Sequence, residues 1–421
     1  MQVKVVKVKN FRNLEDQTIE FGPGLNVISG ENGAGKTNLL EAIYLTSIGR
    51  SPRTRKDAEL ITTGKRGAEV KLEYSRGGVD RSVTLSLSAT KPKVVALDDT
   101  VSTKISDVVG NFASVYFSPD ELEIVRGTPQ YRRRFMDIIN CQIGAGYMVA
   151  LRNFLHALKQ RNALLQGINN ATKYDSSLLP WDRQISAYSI RIMLRRANFV
   201  RNLDKLSAIA MRILTNNKET LHCTYKTFFD RLTDINVNTF DEVYQTKCRA
   251  AFLRDIATKS SSIGPHHDDI EIKLGYIAPN TPVEGRDVTV ERWINLRTSG
   301  SMGQQRSATL ALKIAEMYLY KKYYGEKPVL LLDDVLSELD EDRQRALMQY
   351  CNTFNTIITC TEWHFTDLEY HAFEVKDGVV TRSEEKHGTS GGDADLDNKI
   401  LLIEQAFENE NLGNVEVNDG N

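Results

Sequence analysis

The segment from Leu25 to Leu45, LNVISGENGAGKTNLLEAIYL, constrains the fold of this chain more than any other. A short apolar strand runs into G-x-x-x-x-G-K-T and then into an amphipathic helix, which is the pattern of a phosphate-binding loop. Glycines let the backbone bring several N–H groups toward one anion, and the helix N-terminus adds its positive dipole end. Lys36 is suited to the β- and γ-phosphates, and the Thr37 hydroxyl to Mg²⁺. The alternative, an ordinary Gly-rich turn before a helix, does not explain strand, loop, Lys-Thr and helix together. The predicted nucleotide-binding residues are Gly30, Glu31, Asn32, Gly33, Ala34, Gly35, Lys36, Thr37 and Asn38.

A second apolar strand, Val329 to Leu332, ends in Asp333 and Asp334. In a parallel sheet such a strand delivers its carboxylates beside the phosphate loop. We expect Asp333 to hold Mg²⁺, directly or through water, and Asp334 to orient or deprotonate an attacking water. The alternative is a strand that ends in solvated acids.

A third motif, Ser301 to Arg306 (SMGQQR), also opens a helix and offers a hydroxyl and backbone N–H groups to an anion. Two such helix starts cannot both contact one γ-phosphate within a single lobe unless a part of the chain folds over. The order of phosphate loop, long insertion, S-x-G-Q and strand-Asp-Asp resembles ABC-type ATPases, in which each signature loop closes the nucleotide site of a second subunit. This resemblance assigns Ser301, Gly303 and Gln304 to the nucleotide and counts Ser301 with Lys36, Asp333 and Asp334 as catalytic.

The totals fit a protein of two or three lobes. The chain has 421 residues, of which 41% are hydrophobic, and it holds no apolar run long enough for a membrane span and no signal peptide at its start. Five scattered cysteines fit a reducing cytosol. From Glu384 onward there are ten acidic residues and two lysines, so removing this −8 from the net −1 leaves about +7 on the body. An uneven basic charge allows a polyanion partner.

The order of predicted elements divides the chain into four parts. Residues 1–125 hold strands around the phosphate loop and a β-meander, and residues 126–255 form a compact helical arm or lid with helices of roughly 15 to 30 residues. Residues 256–383 carry the signature and Asp-Asp motifs, and residues 384–421 form an acidic disordered tail. The predicted fold class is α/β, an ABC-type P-loop ATPase head with an inserted helical domain.

Seven motifs in order resemble the RecF family of bacterial recombination and replication-repair ATPases, over roughly residues 1–383. They are NFRN (10–13), GENGAGKTNLLEAIYL (30–45), FSPDELEIV (117–125), YRRRFMD (131–137), GPHHDD (264–269), SMGQQR (301–306) and LLLDDVLSELD (330–340). The resemblance implies a head similar to those of SMC-type ATPases without the long coiled coil. It further implies ATP and Mg²⁺ as cofactors, ATP-dependent homodimers on DNA, and weak, DNA-stimulated hydrolysis. It also implies RecO and RecR as partners, recombinase loading at gaps and stalled forks, and a cytoplasmic, nucleoid-associated location. Finally, it implies that Arg12 contacts the nucleotide phosphates.

Several features leave alternatives open. The chain shows no clear glutamine loop, and Thr361 is the nearest polar candidate for the switch histidine of transporters, with His364 a few residues later. The loop GPHHDD is open to three interpretations: a structural loop, a loop that faces DNA or nucleotide, or a metal site. The arginines between 132 and 201 either solvate helix faces or contribute to a basic groove.

Two other functions compete with DNA repair. The first is the nucleotide-binding subunit of an ABC transporter, but the Arg-rich insertion and the missing glutamine loop argue against this interpretation. An ATPase-nuclease of the overcoming-lysogenisation type needs an additional carboxylate-rich unit, for which too few residues follow Asp340.

Overall fold

The computed structural model describes residues 1–54, 56–168, 174–229, 239–279, 288–338, 341–365 and 368–383. The predicted acidic tail lies outside the described residues. The strands are β1 (Gln2–Lys9), β2 (Gln17–Glu20), β3 (Leu25–Ser29), β4 (Gly67–Arg76), β5 (Val79–Ser88), β6 (Val94–Leu97), β7 (Thr100–Ser102), β8 (Ser114–Phe117), β9 (Glu219–Lys226), β10 (Asp269–Ile277), β11 (Val290–Asn295), β12 (Val329–Asp333), β13 (Thr356–Cys360), β14 (His371–Lys376) and β15 (Val379–Arg382). The helices are α1 (Lys36–Ile48), α2 (Glu123–Arg126), α3 (Pro129–Ile143), α4 (Ala145–Gly167), α5 (Leu179–Leu214), α6 (Phe240–Thr258), α7 (Leu296–Ser299), α8 (Met302–Tyr324) and α9 (Glu341–Asn352).

The central sheet has the strand order β15-β14-β3-β13-β12-β8, and its strands are parallel except for the edge strand β15. All five residues of β12 and of β13 are buried, as expected for parallel strands covered on both faces. Ile28, Leu331 and Ile357 face a core shared with α1, whereas Val27 and Leu332 face a core shared with α8. The sheet therefore lies between the phosphate-loop helix α1 and the signature helix α8. The carboxyl ends of its parallel strands lie along the same edge.

Two antiparallel sheets flank the central one. The first has the order β2-β1-β4-β5-β6-β7 and packs over α1, and the second joins β9, β10 and β11. The meander predicted after the first helix is thus confirmed, but β9 was not predicted from the sequence. Strand β9 pairs with β10 across the predicted domain limit at 255/256, and that limit stays a prediction.

The predicted helical insertion is present, and its longest helix exceeds the expected length. Helix α5 has 36 residues and lies antiparallel to α4, because Tyr147 contacts Arg196 near one end and Arg161 contacts Asp182 near the other. The first half of α5 packs with α4 and α6 in a core of its own, and the second half joins the α8 core. The insertion is consequently anchored in the ATPase body by a continuous helix.

The helices and the cysteines provide two further observations. In the described ranges, no helix has both the length and the apolar character required to cross a bilayer. All five cysteines are free thiols, and those at 223, 248, 351 and 360 are buried.

Candidate nucleotide-binding site

The phosphate loop joins β3 to α1 and depends on glycine at positions where other residues would be strained. Gly30 has φ of 151°, and a Cβ added there would lie 2.4 Å from the carbonyl oxygen of Val375. Gly35 has φ of 120° directly before the first residue of α1. Both conformations lie in the region that L side chains rarely adopt. The residue types at these positions are therefore set by backbone geometry.

Lys36 begins α1 and turns back over its own loop. Its Nζ donates hydrogen bonds to the carbonyl oxygens of Gly30, at 2.6 Å, and Glu31, at 2.9 Å. The residue is buried. A phosphate oxygen is a stronger acceptor for an ammonium group than a neutral carbonyl. The phosphate loop therefore holds the Lys36 ammonium group against the backbone segment that the sequence motif predicts to bind the phosphates.

The carboxylate of Asp333 connects four elements. Thr37 Oγ1 donates to Asp333 Oδ1 at 2.8 Å, and Thr359 Oγ1 donates to the same oxygen at 3.0 Å. The hydroxyl of Tyr116 donates to Asp333 Oδ2 at 2.7 Å. Oxygen atoms of a carboxylate and a threonine hydroxyl are the protein ligands that Mg²⁺ prefers. The two residues predicted to bind Mg²⁺ are in direct contact, so the site fits that ion.

Sequence reasoning missed Tyr116 and Thr359. Both belong to strands that flank β12, in a register that aligns Leu331 with Tyr116 and Asp333 with Thr359. Neither residue lies in a motif, and only a known strand order would have indicated them. Strand order is a long-range property that the local pattern of each strand does not carry.

Asp334 leaves the sheet immediately after β12. Its φ is 51°, a left-handed conformation that Asp and Asn adopt more readily than other non-glycine residues. Its backbone N–H donates to Thr359 Oγ1 at 3.1 Å, and its carbonyl accepts from the hydroxyl of Ser337 at 2.8 Å. The chain direction after Asp333 is therefore fixed from both sides. Leu339 and Asp340, the last two residues of the LLLDDVLSELD motif, lie outside the described residues.

Arg12 is held by α1, the helix that follows the phosphate loop. Its Nε and one terminal nitrogen form a bidentate ion pair with the buried carboxylate of Glu41, both at 2.9 Å. Glu41 also accepts from the hydroxyl of Ser51 and from Arg53. The predicted phosphate contact of Arg12 stays a prediction, and Glu41 is a partner that the sequence did not indicate.

The other end of the phosphate loop is tied to the chain start. The Asn13 side chain donates to Gly33 O at 3.1 Å and accepts from Asn38 Nδ2 at 2.7 Å. The N–H of Gly378 donates to Ala34 O at 2.9 Å. Thus residues 13 and 378, from opposite ends of the described chain, support the loop.

The signature motif forms the N-terminus of α8. Ser301 and Gln304 make a reciprocal capping box, and Gln304 Nε2 also donates to Glu219 and to Tyr276. Ser301 is exposed, and Gly303 is half-buried. Within the described residues, no hydrogen bond joins Ser301, Gly303 or Gln304 to the phosphate loop. The structure brings Lys36, Thr37 and Asp333 together and leaves the signature motif apart from them, with its N-terminus turned to solvent.

Three arginines of the insertion make structural contacts, two of them through ion pairs, instead of solvating a helix face. Arg132 forms a bidentate pair with Asp269, at 2.6 and 2.9 Å, and Arg133 donates to the carbonyl oxygen of Asp268. Buried Arg196 bridges Asp137 and Asp268. The GPHHDD loop is thereby fixed between α3 and α5. In the described ranges, no group of three or more His, Cys, Asp or Glu residues is placed to hold a metal ion. The ion pairs of Asp268 and Asp269 favour the interpretation as a structural loop.

Electrostatics around this loop follow from its burial. Loss of solvent raises the pKa of Asp268 despite the attraction of Arg196. Burial lowers the pKa of His266 to about 4. His266 Nε2 lies 2.8 Å from the carbonyl oxygen of Ser261, and since a carbonyl only accepts, Nε2 carries the proton.

The candidate switch residues lie after β13. Thr361 and His364 are exposed, and His364 lies 3.7 Å from Glu362. Within the part of the chain that the structure describes, neither forms a hydrogen bond or ion pair with Asp333 or Asp334. The polar side chain of this segment that does reach them is Thr359, two residues before Thr361.

Comparisons with known proteins agree with this geometry. The family described as "RecF/RecN/SMC N terminal domain" matches residues 2–377. The "DNA replication and repair protein RecF" of Lachnoclostridium phytofermentans is 35% identical over 361 residues, covering 86% of this chain and 93% of that protein. The protein of the same name from Clostridium botulinum (strain Langeland) is 36% identical over 377 residues, covering 88% and 95%.

Solved structures give the same result at the level of the fold. The "recombination mediator protein RecF-ATPrS in RecFOR pathway" superposes with a TM-score of 0.81 at 30% identity, over 91% of this chain and 98% of that one. An Smc head domain from Pyrococcus furiosus matches with a TM-score of 0.50 at 15% identity, over 96% of this chain and 99% of that one, and this likeness concerns the fold alone.

Proposed function

The chain belongs to the RecF family of DNA replication and repair proteins, within the wider RecF/RecN/SMC group, and on that premise we propose that it is an ATP-gated DNA clamp. Two subunits bind ATP between the phosphate loop of one and the signature helix start of the other. The dimer holds DNA, and slow, DNA-stimulated hydrolysis releases it. The protein acts in the cytoplasm with RecR and RecO, and it helps to load the recombinase at gaps and stalled forks.

The observation that carries this proposal is the contact between Thr37 and Asp333, which unites two motifs nearly 300 residues apart in one oxygen-lined site. Lys36 would hold the β- and γ-phosphates, and the glycine backbone would supply N–H donors to them. When bound, Mg²⁺ would neutralise phosphate charge. Thr37 and Asp333 would hold this ion, while Asp334 would orient the attacking water.

The proposal of a second subunit rests on the separation of the signature motif from the phosphate loop. Ser301 is exposed at the N-terminus of a 23-residue helix, where the helix dipole favours an anion. A nucleotide that bridges Lys36 of one copy and Ser301 of another would make the dimer depend on ATP. The remaining cofactor-binding assignments, from Gly30 to Asn38 with Arg12, Gly303 and Gln304, are part of the same proposal.

Binding to DNA would rest on phosphate neutralisation by lysines and arginines, and it would therefore be salt-sensitive and sequence-tolerant. The test is a titration of gapped, duplex and single-stranded DNA with ATP, ADP or no nucleotide, with the oligomeric state measured by light scattering in the same samples. We expect tight binding only with ATP and only in samples that contain dimers. Equal DNA affinity in all three nucleotide conditions would contradict the gating.

A further inference from the structure

Tyr116 occupies the strand next to Asp333 and points its hydroxyl at that carboxylate. Strand β8 runs parallel to β12, with Tyr116 opposite Leu331. The Tyr116 side chain is buried, and its OH lies 2.7 Å from Asp333 Oδ2. A phenol is protonated at neutral pH, so the hydroxyl donates and the carboxylate accepts.

The two oxygens of Asp333 have different partners. Oδ1 accepts from Thr37 and Thr359, whereas the bond described at Oδ2 comes from Tyr116. Thr37 lies in the first turn of α1, the helix that follows the phosphate loop, so Oδ1 is the oxygen on the nucleotide side. Rotation of the carboxylate would exchange the two oxygens, and the bond to Tyr116 opposes that rotation.

The aromatic ring of Tyr116 is itself fixed. Tyr44, on the helix of the phosphate loop, packs against it with ring centroids 5.2 Å apart and a tilt of 42°. The ring thus lies between α1 and β12, the two elements that supply Thr37 and Asp333. A phenylalanine at position 116 would keep this packing and remove only the hydroxyl.

We propose that Tyr116 is a positioning residue that orients Asp333 for the metal of the nucleotide site. The proposal rests on the function proposed above, since it needs ATP and Mg²⁺ at this site. Donors behind a metal-binding carboxylate fix its orientation, and their removal typically weakens metal affinity by 10- to 100-fold.

The test compares Tyr116→Phe with Tyr44→Phe, a matched loss of a hydroxyl from the other ring of the same pair. The affinity for a fluorescent ATP analogue (mant-ATP) is measured in EDTA and across a Mg²⁺ titration. Binding of Mn²⁺ in the presence of AMP-PNP is followed by electron paramagnetic resonance. Thermal melting without nucleotide checks that both variants fold.

For Tyr116→Phe we expect unchanged affinity in EDTA, a Mg²⁺ midpoint about tenfold higher, and weaker Mn²⁺ binding. Turnover should recover toward the wild-type value at saturating Mg²⁺. Tyr44→Phe should match the wild type in each measurement. A purely structural role would change the EDTA affinity and the melting temperature instead, and this outcome would overturn the proposal.

The inference and the proposed function fail in distinguishable ways. If Mg²⁺ does not alter the ATP affinity of the wild-type protein, the proposed nucleotide site is wrong. If the wild type responds to Mg²⁺ and Tyr116→Phe responds identically, only the role of Tyr116 is excluded.

Discussion

The side chains of the site are of two kinds. Nucleotide chemistry requires the residue type of some, whereas the role of the others depends on which side chains the fold brings next to them. Lys36, Thr37 and Asp333 were predictable, because a phosphate loop and an acid-ended strand require these residue types at these spacings. Tyr116 and Glu41 were not predictable, because a tyrosine in an apolar strand and a glutamate in a helix are common without any such role. Each gains its partner only when distant segments meet.

At Lys36 the position of the charge matters as much as its sign. Lys36→Arg keeps the cation and replaces a compact ammonium with a wide planar group, which does not fit between the carbonyls of Gly30 and Glu31. We expect nearly normal ATP binding, turnover lower by about 100-fold, and DNA that is retained instead of released. Equilibrium binding and steady-state phosphate release measure the two effects, and normal turnover would exclude the assignment of Lys36.

At Asp334 the backbone permits an informative substitution. Asn tolerates φ near 51° as well as Asp does, so Asp334→Asn should fold normally while losing the carboxylate that we propose orients water. We expect an ATP-bound dimer that persists on gel filtration. The control is Asp99→Asn, which changes another left-handed aspartate, with φ of 64°, in the turn between β6 and β7. If Asp334→Asn elutes only as a monomer with ATP, the shared site is wrong.

At the scale of elements, hydrophobic periodicity predicted most strands and helices, but it did not predict which strands pair or which cores a helix joins. The strands with alternating burial and the helix that begins within SMGQQR were predicted from local pattern. Strand β9 was missed, because its residues follow a long helical segment and its pairing partner β10 lies over 40 residues later. The length of α5 was underestimated, since its apolar residues face two different cores in its two halves.

The loop between α6 and β10 yields a prediction on pH and stability. Nδ1 of His266 is buried without a hydrogen-bond partner, so its protonation would bury an unsatisfied charged N–H. Its pKa in the folded state is lowered to about 4 from 6.5, so the stabilisation is complete above pH 6.5 and is lost as the pH falls toward 4. Between pH 7 and pH 5 this group should remove about 2 kcal/mol from the free energy of unfolding.

The measurement is urea unfolding of the wild type, His266→Gln and His267→Gln at the two pH values. Glutamine at 266 keeps an N–H donor for the Ser261 carbonyl and has no titrating group in this range. We expect the stability of His266→Gln to depend less on pH than that of the wild type. His267→Gln keeps His266 and should therefore retain the pH dependence that His266 produces. Equal pH dependence in all three proteins would show that His266 is already charged at pH 5 or accessible to water.

At the scale of the whole molecule, two cores lie on opposite faces of the central sheet, and α5 links the second of them to the insertion. The phosphate loop belongs to the first core and the signature helix to the second. A nucleotide that contacts both motifs must therefore either bring them together within one molecule, around the edge of the sheet, or join two molecules. The exposure of Ser301 at the start of α8 favours the second arrangement.

The charge distribution over the 421 residues gives a further prediction. The ten acidic residues and two lysines after Ser383 carry −8, so a variant that ends at Ser383 changes from a net −1 to +7. Since DNA is a polyanion, we expect this variant to bind duplex DNA about tenfold more tightly at low ionic strength. The gain should shrink as salt screens the charges. Fluorescence anisotropy at several salt concentrations measures both effects.

A full-length control with the tail residues in scrambled order should bind like the wild type, because the expected effect depends on the total charge of the tail and not on its sequence. If the shortened variant binds no more tightly than the full chain at low salt, the tail charge does not act on the DNA-binding surface. If only the scrambled control binds more tightly, the tail instead acts through a specific sequence.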